Sequence, residues 1–125
     1  MYSILIVEDN STFRACLRGV LKERFPLIGI VEASNGDDAL SKIKEIEPIL
    51  IFTAIKLSGR NGLELTRTIK SIYSEIEVVV LTDYDNLEYR EAAFRNGASH
   101  FLTKGNAGID DITAVVASVV ANQAQ

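Results

Sequence analysis

Apolar residues along this chain fall into two alternating patterns. The first is the short continuous run, as in Ile4 to Val7, Ile49 to Phe52 and Val78 to Leu81. Such runs predict strands over Ser3–Glu8, Leu27–Val31, Ile49–Ala54, Glu77–Leu81 and Ser99–Leu102. Most lack polar alternation, as expected of parallel strands covered on both faces. The second pattern places apolar residues three and four apart and predicts helices. Its stripes are Phe13, Cys16, Leu17, Val20 and Leu21, then Ala39, Leu40 and Ile43, then Leu65, Ile69 and Ile72. A weaker stripe of Leu87, Ala92, Ala93 and Phe94 is followed by Asn96-Gly97, placed for a left-handed C-terminal cap. Ile109, Ile112, Val115, Val116 and Val119 form the last. Pro26 and Pro48 sit just ahead of strands and end the helices before them. The order is a βα unit repeated five times.

Composition narrows the class. A chain of 125 residues fits one domain with its own core. Hydrophobic residues at 47% and charged residues at 24% are ordinary for a globular protein. No apolar run approaches the ~18 residues of a membrane span, and no signal-peptide pattern opens the sequence, which makes the cytoplasm the expected location. The single cysteine, Cys16, excludes an internal disulfide framework and agrees with a reducing compartment. A net charge of -4 gives no long-range attraction to nucleic acid. Direct DNA binding by this domain is not expected.

Repeated βα units imply an α/β fold, with right-handed crossovers and helices on both faces of a parallel sheet. Ligands in such folds gather beyond the carboxyl ends of the strands. The residues there are Glu8-Asp9-Asn10, Ala54, Thr82-Asp83 and Thr103-Lys104. Glu8 and Asp9 make an acidic pair suited to a hard cation; they would equally serve the positive end of the first helix dipole. Thr82 offers a hydroxyl and Lys104 a point charge to a phosphoryl oxygen, although each alone is an ordinary loop residue. Together they describe a metal and phosphoryl site.

Four segments, in order, carry a resemblance that covers essentially the whole chain, 1–125. "ILIVEDN", "IKLSGRNGLEL", "VVVLTDYD" and "GASHFLTKG" resemble the strand ends of receiver domains of two-component response regulators. The resemblance implies a doubly wound, flavodoxin-like (βα)5 fold with strand order 2-1-3-4-5. It implies Mg²⁺ held by Glu8, Asp9 and the backbone carbonyl of Lys56, with Thr82 and Lys104 contacting the phosphoryl group. It also implies a signalling module, not an enzyme, that takes phosphate from a sensor histidine kinase onto an aspartate ending the third strand. That position is Ala54.

Phosphoryl transfer needs a nucleophilic oxygen in line with the leaving group, and the other groups only position and neutralise charge. Alanine has none. Thr53 should face the other way, because consecutive strand residues alternate. Ser58 reads as a turn residue and His100 as structural, so no substitute acceptor is expected. With one carboxylate fewer, Mg²⁺ should bind more weakly. Lys104 then lacks its usual partner, and would turn toward Glu8 or Asp9 or stay hydrated. A deliberate Asp→Ala change and natural divergence both put alanine here. Ile49 after Pro48, and Ser58 where the family usually has proline, favour divergence.

The resemblance places the output surface on the fourth helix, fifth strand and fifth helix, open to a homodimer or another signalling partner, with Phe101 as the switch aromatic. Plain core packing is an equal role for Phe101. The Lys104-Gly105 pair and the modest last helix look most like receivers joined to helix-turn-helix DNA-binding domains. None follows Gln125, which leaves a stand-alone regulator and the front of a longer one both open. A flavodoxin-like cofactor binder would share the topology, but Glu8 and Asp9 would repel its phosphate. An aspartyl-phosphate hydrolase would want a second acid two residues after Asp9, where Ser11 stands.

Overall fold

The computed structural model describes residues 1–123; Gln125, where the expected domain ends, lies outside them. Five parallel strands, β1 (Ser3–Val7), β2 (Gly29–Ala33), β3 (Leu50–Thr53), β4 (Glu77–Thr82) and β5 (His100–Thr103), form one sheet in the order β2-β1-β3-β4-β5. They alternate with α1 (Ser11–Arg24), α2 (Gly36–Ile46), α3 (Gly62–Ile72), α4 (Leu87–Arg95) and α5 (Ile109–Gln123). The reversal of strand order lies between β1 and β3, which pair from Ile4↔Leu50 to Val7↔Thr53.

Strand alternation splits the core. Ile4, Ile6, Leu50, Phe52, Val79 and Leu81 face α1 and α5, where Leu17, Leu21, Ile112, Val116 and Val119 meet them. Leu5, Val7, Ile51 and Val78 face the opposite way, against Ala39 and Ile43 of α2 and Leu65 and Ile69 of α3. A smaller group of Ile55, Val80, Ala93, Ala98 and Phe101 packs under α4. Both faces of the sheet are dry, which explains the continuous apolar runs.

Four helices share one starting device. Asn10, Asn35, Asn61 and Asn86 are the N-caps of α1 to α4, each side chain accepting a backbone N–H in the first turn. The α4 terminus is the left-handed cap expected at Asn96-Gly97. Gly97 has φ +106°, its N–H donates to the Phe94 carbonyl, and the Ala98 N–H donates to that of Ala93, both at 3.0 Å. This pair of bonds satisfies carbonyls the helix would leave open.

Several expectations shift. The second strand starts two residues after Leu27, because the Ile28 N–H donates to the Phe25 carbonyl at 3.1 Å and folds Pro26 and Leu27 into a turn, leaving Leu27 85% exposed. Cys16 is exposed, on the flank of the stripe through Leu17 and Leu21. Ile72 is also exposed, since the α3 stripe continues from Ile69 to Tyr73. On α4 the inward residues are Tyr89 and Ala93, which leaves Leu87 and Phe94 facing out. Ile109, in the first turn of α5, is likewise exposed.

Candidate functional site

The chain leaves the sheet at the end of β3 through Ala54, Ile55 and Lys56 and returns at once to start α3. The two segments touch at Gly62. Its N–H donates to the Ile55 carbonyl at 2.6 Å, and a Cβ there would stand 1.8 Å from the Ala54 carbonyl oxygen. Only glycine fits such an approach. The same carbonyl accepts from the Thr53 hydroxyl at 2.9 Å, and the Ala54 N–H donates to the Val7 carbonyl at 3.0 Å. The backbone of residue 54 is therefore held firmly while its side chain is a lone methyl.

Glu8 follows β1 and is buried. Its Oε2 accepts the Asn10 N–H at 3.2 Å, and its backbone carbonyl accepts from Nη1 of Arg14 at 2.6 Å. Asp9 beside it is exposed. Thr82, buried at the end of β4, accepts the Tyr84 N–H at its hydroxyl, 3.2 Å away. Lys104 is tied back to Thr82 by its own N–H, which donates to the Thr82 carbonyl at 2.8 Å. From there its ammonium reaches across the strand ends and pairs with Oε1 of Glu8. Asp83 Oδ2 lies 3.8 Å from the same nitrogen, and the Phe13 ring centre lies 4.3 Å away. Glu8, Asp9, Ala54, Lys56, Thr82 and Lys104 all line one open cleft of about 200 Å³.

The strand order and fold agree with those of known proteins. The response regulator receiver domain family matches residues 4–117. The chain belongs to this family. It is 33% identical over 116 residues to the transcriptional regulatory protein LnrK of Bacillus subtilis, covering 93% of this chain and 53% of LnrK. It is 32% identical over 101 residues to the chemotaxis protein CheY of Halobacterium salinarum, covering 81% of this chain and 82% of CheY. The signal receiver domain of a DNA-binding response regulator (merR) from Colwellia psychrerythraea has the same fold, with a TM-score of 0.92 at 24% identity over 97% of this chain and 99% of that one. The chain spans only 28 to 57% of the length of several longer curated regulators that it matches.

Within this receiver domain the residues singled out in the sequence at the strand ends converge, although they come from four separate strand exits. Thr53 is buried, with its hydroxyl turned back onto the backbone. Ser58 is exposed and bridges to Asn35; His100 is exposed at the start of β5. Phe101 sits apart from the cleft, buried beneath α4, with the Arg90 guanidinium 4.9 Å from its ring centre. Of the alternatives open to Lys104, the structure has the turn toward Glu8. Sequence reasoning missed Phe13, which reads as one more core residue in a helical stripe, and Arg14, which looks like a solvated charge. It also passed over Tyr84, whose ring carries the Lys56 ammonium at 4.6 Å.

Receiver domains generally bind Mg²⁺ at this edge, which makes the donor set the chemical test. Among the described residues no group of three or more His, Cys, Asp or Glu side chains is placed to hold a metal ion. Glu8 has one oxygen on Lys104 and the other on the Asn10 N–H. Asp9 is the one carboxylate of the acidic pair left to a cation, and the Lys104 ammonium, paired with Glu8, lines the same cleft. As placed, the set fits a hard dication poorly. No helix of the described residues is long and apolar enough to cross a membrane.

Proposed function

We propose that this receiver domain, residues 1–125, does not accept a phosphoryl group at position 54 and signals through the protein surfaces of its folded state. The observation that carries this reading is the Ala54 methyl lining the cleft shared by Glu8, Asp9, Thr82 and Lys104. In that arrangement the chain keeps the groups that position and neutralise a phosphoryl group and lacks the oxygen that attacks it. Transfer requires that oxygen, because positioning groups lower a barrier only for a nucleophile already present. Mg²⁺, if supplied, would meet Asp9 and the Lys56 carbonyl, and would have to compete for Glu8. Binding weaker than in a receiver with a third carboxylate is the consequence.

The partner is a sensor histidine kinase or another signalling protein in the cytoplasm. The face of α4, β5 and α5 offers exposed Leu87, Phe94 and Ile109 to it or to a second copy. The lengths of the matched regulators support a parent in which a DNA-binding domain is joined to this one. Non-enzymatic signalling is preferred to a flavodoxin-like cofactor module, because Glu8 and Asp9 line the cleft where an anionic cofactor would sit. It is preferred to hydrolysis because Asp9 has no second acid at Ser11.

Mass spectrometry after incubation with Mg²⁺ and acetyl phosphate tests the reading. The protein should gain no phosphoryl mass, and the Ala54→Asp variant should gain one. A phosphoryl adduct on the protein itself, or none on the variant, would overturn it.

A further inference from the structure

Lys104 behaves differently from a phosphate-binding lysine waiting for its ligand. Its side chain is 11% exposed and that of Glu8 is 5% exposed, so the pair is largely withdrawn from water. The ammonium has Glu8 Oε1 as its direct acceptor, Asp83 Oδ2 at 3.8 Å as a second anion and the Phe13 face at 4.3 Å. A lysine ammonium has only a few N–H donors, and acceptors of this kind, carboxylate and aromatic face, satisfy them. Nothing in that set comes from position 54. Glu8 is equally complete, with its second oxygen on the Asn10 N–H.

Alternation along the strands explains how the two residues meet. Glu8 lies two positions after Ile6, Ala54 two after Phe52, and Lys104 two after Leu102; those three precursors all face α1 and α5. The side chains at 8, 54 and 104 therefore start on one side of the sheet. A methyl group at the middle position leaves the path between the outer two open. Phe13, in the first turn of α1, closes that side.

We propose that Lys104 is the resident cation of this cleft: its ammonium takes the place of a divalent ion at Glu8, and the domain folds and holds its state independently of Mg²⁺. This rests on reading the cleft as a receiver site without its acceptor, and adds that the lysine, beyond the missing carboxylate, keeps the metal out. A dication reaching Glu8 must expel a buried ammonium from its partner. If the lysine is removed, Glu8 is left as a buried charge without compensation, and a dication becomes the natural replacement.

The test is thermal unfolding in millimolar MgCl₂ at matched ionic strength, without phosphodonor, for the protein, Lys104→Met and Lys104→Gln. A ligand that binds only the folded state raises the midpoint as its concentration passes the dissociation constant. The midpoint of the unaltered protein should stay flat, while a lysine variant should start lower and recover by several degrees in a saturable way. A saturable rise in the unaltered protein would overturn the proposal, and so would a folded lysine variant that Mg²⁺ leaves unmoved. Should both variants fail to fold, the curve of the unaltered protein still decides. No phosphorylation is read, so a failure here is distinct from a failure of acetyl phosphate to label Ala54→Asp.

Discussion

Replacing Gly62 by alanine should be among the most damaging single-methyl changes in this domain. The added Cβ would lie 1.8 Å from the Ala54 carbonyl oxygen and 3.0 Å from the Ile55 Cα. These are backbone atoms, which cannot rotate aside as a side chain does. Relief requires the start of α3 and the exit of β3 to part by well over an ångström. That movement breaks the 2.6 Å bond from the Gly62 N–H to the Ile55 carbonyl, worth about 1 kcal/mol. Overpacking strain adds about 1–3 kcal/mol. A loss of about 3 kcal/mol lowers the midpoint of a domain this size by about 10 °C. Gly19 is the control. It lies inside α1, and a methyl group added there would have nothing within 4 Å, so Gly19→Ala should raise stability by about 1 kcal/mol through helix propensity alone. Thermal and denaturant unfolding of both variants measure the contrast. If Gly62→Ala unfolds within about 0.5 kcal/mol of the unaltered protein, the account of the strand exit is wrong.

Two further changes probe the helix ends. Glu47, the C-cap of α2, has φ +44° and is the only non-glycine residue with positive φ among those described; Glu47→Gly removes that strain and should raise stability by about 0.5–1 kcal/mol in denaturant unfolding. Asn86→Ala removes the acceptor that holds the Tyr89 N–H at 2.8 Å, and should cost about 1 kcal/mol, with faster amide exchange in the first turn of α4 as the local readout.

The fold was legible because its sheet is buried on both faces. Runs such as Ile4 to Val7 and Val78 to Leu81 have no polar alternation to confuse with a surface strand, and the intervening stripes fix the βα order. What the pattern could not supply was the angular width of each buried stripe. Cys16 and Ile72 have helical spacing from true core residues, yet they lie to one side of the line that meets the sheet. Spacing of three or four residues does not say which neighbour of a buried residue turns inward; that depends on where the helix lies over the strands. The slip at β2 has a different cause. Pro26 marks the break correctly, but the chain needs a turn through Leu27 before it reaches the register of Ser3↔Gly29, so an apolar residue is left in solvent.

The candidate site divides in the same way. The convergence of Glu8, Asp9, Thr82 and Lys104 on one cleft was legible because they stand at the ends of apolar runs, and topology alone brings strand ends together. Its electrostatics were not, because the ion pair joins residues 96 positions apart and depends on a side chain with several rotatable bonds. The alanine at 54 set the question of where the lysine would go; the answer required the positions of Asn10, Phe13 and Asp83 around the pair. Glu8 is buried beside the lysine. On the reading proposed above, the methyl group at 54 offers the ammonium no acceptor, and the lysine pairs with Glu8. The proposed loss of the acceptor and the proposed closure of the cation site thus meet at one methyl group, and phosphoryl labelling and Mg²⁺-dependent unfolding test them separately.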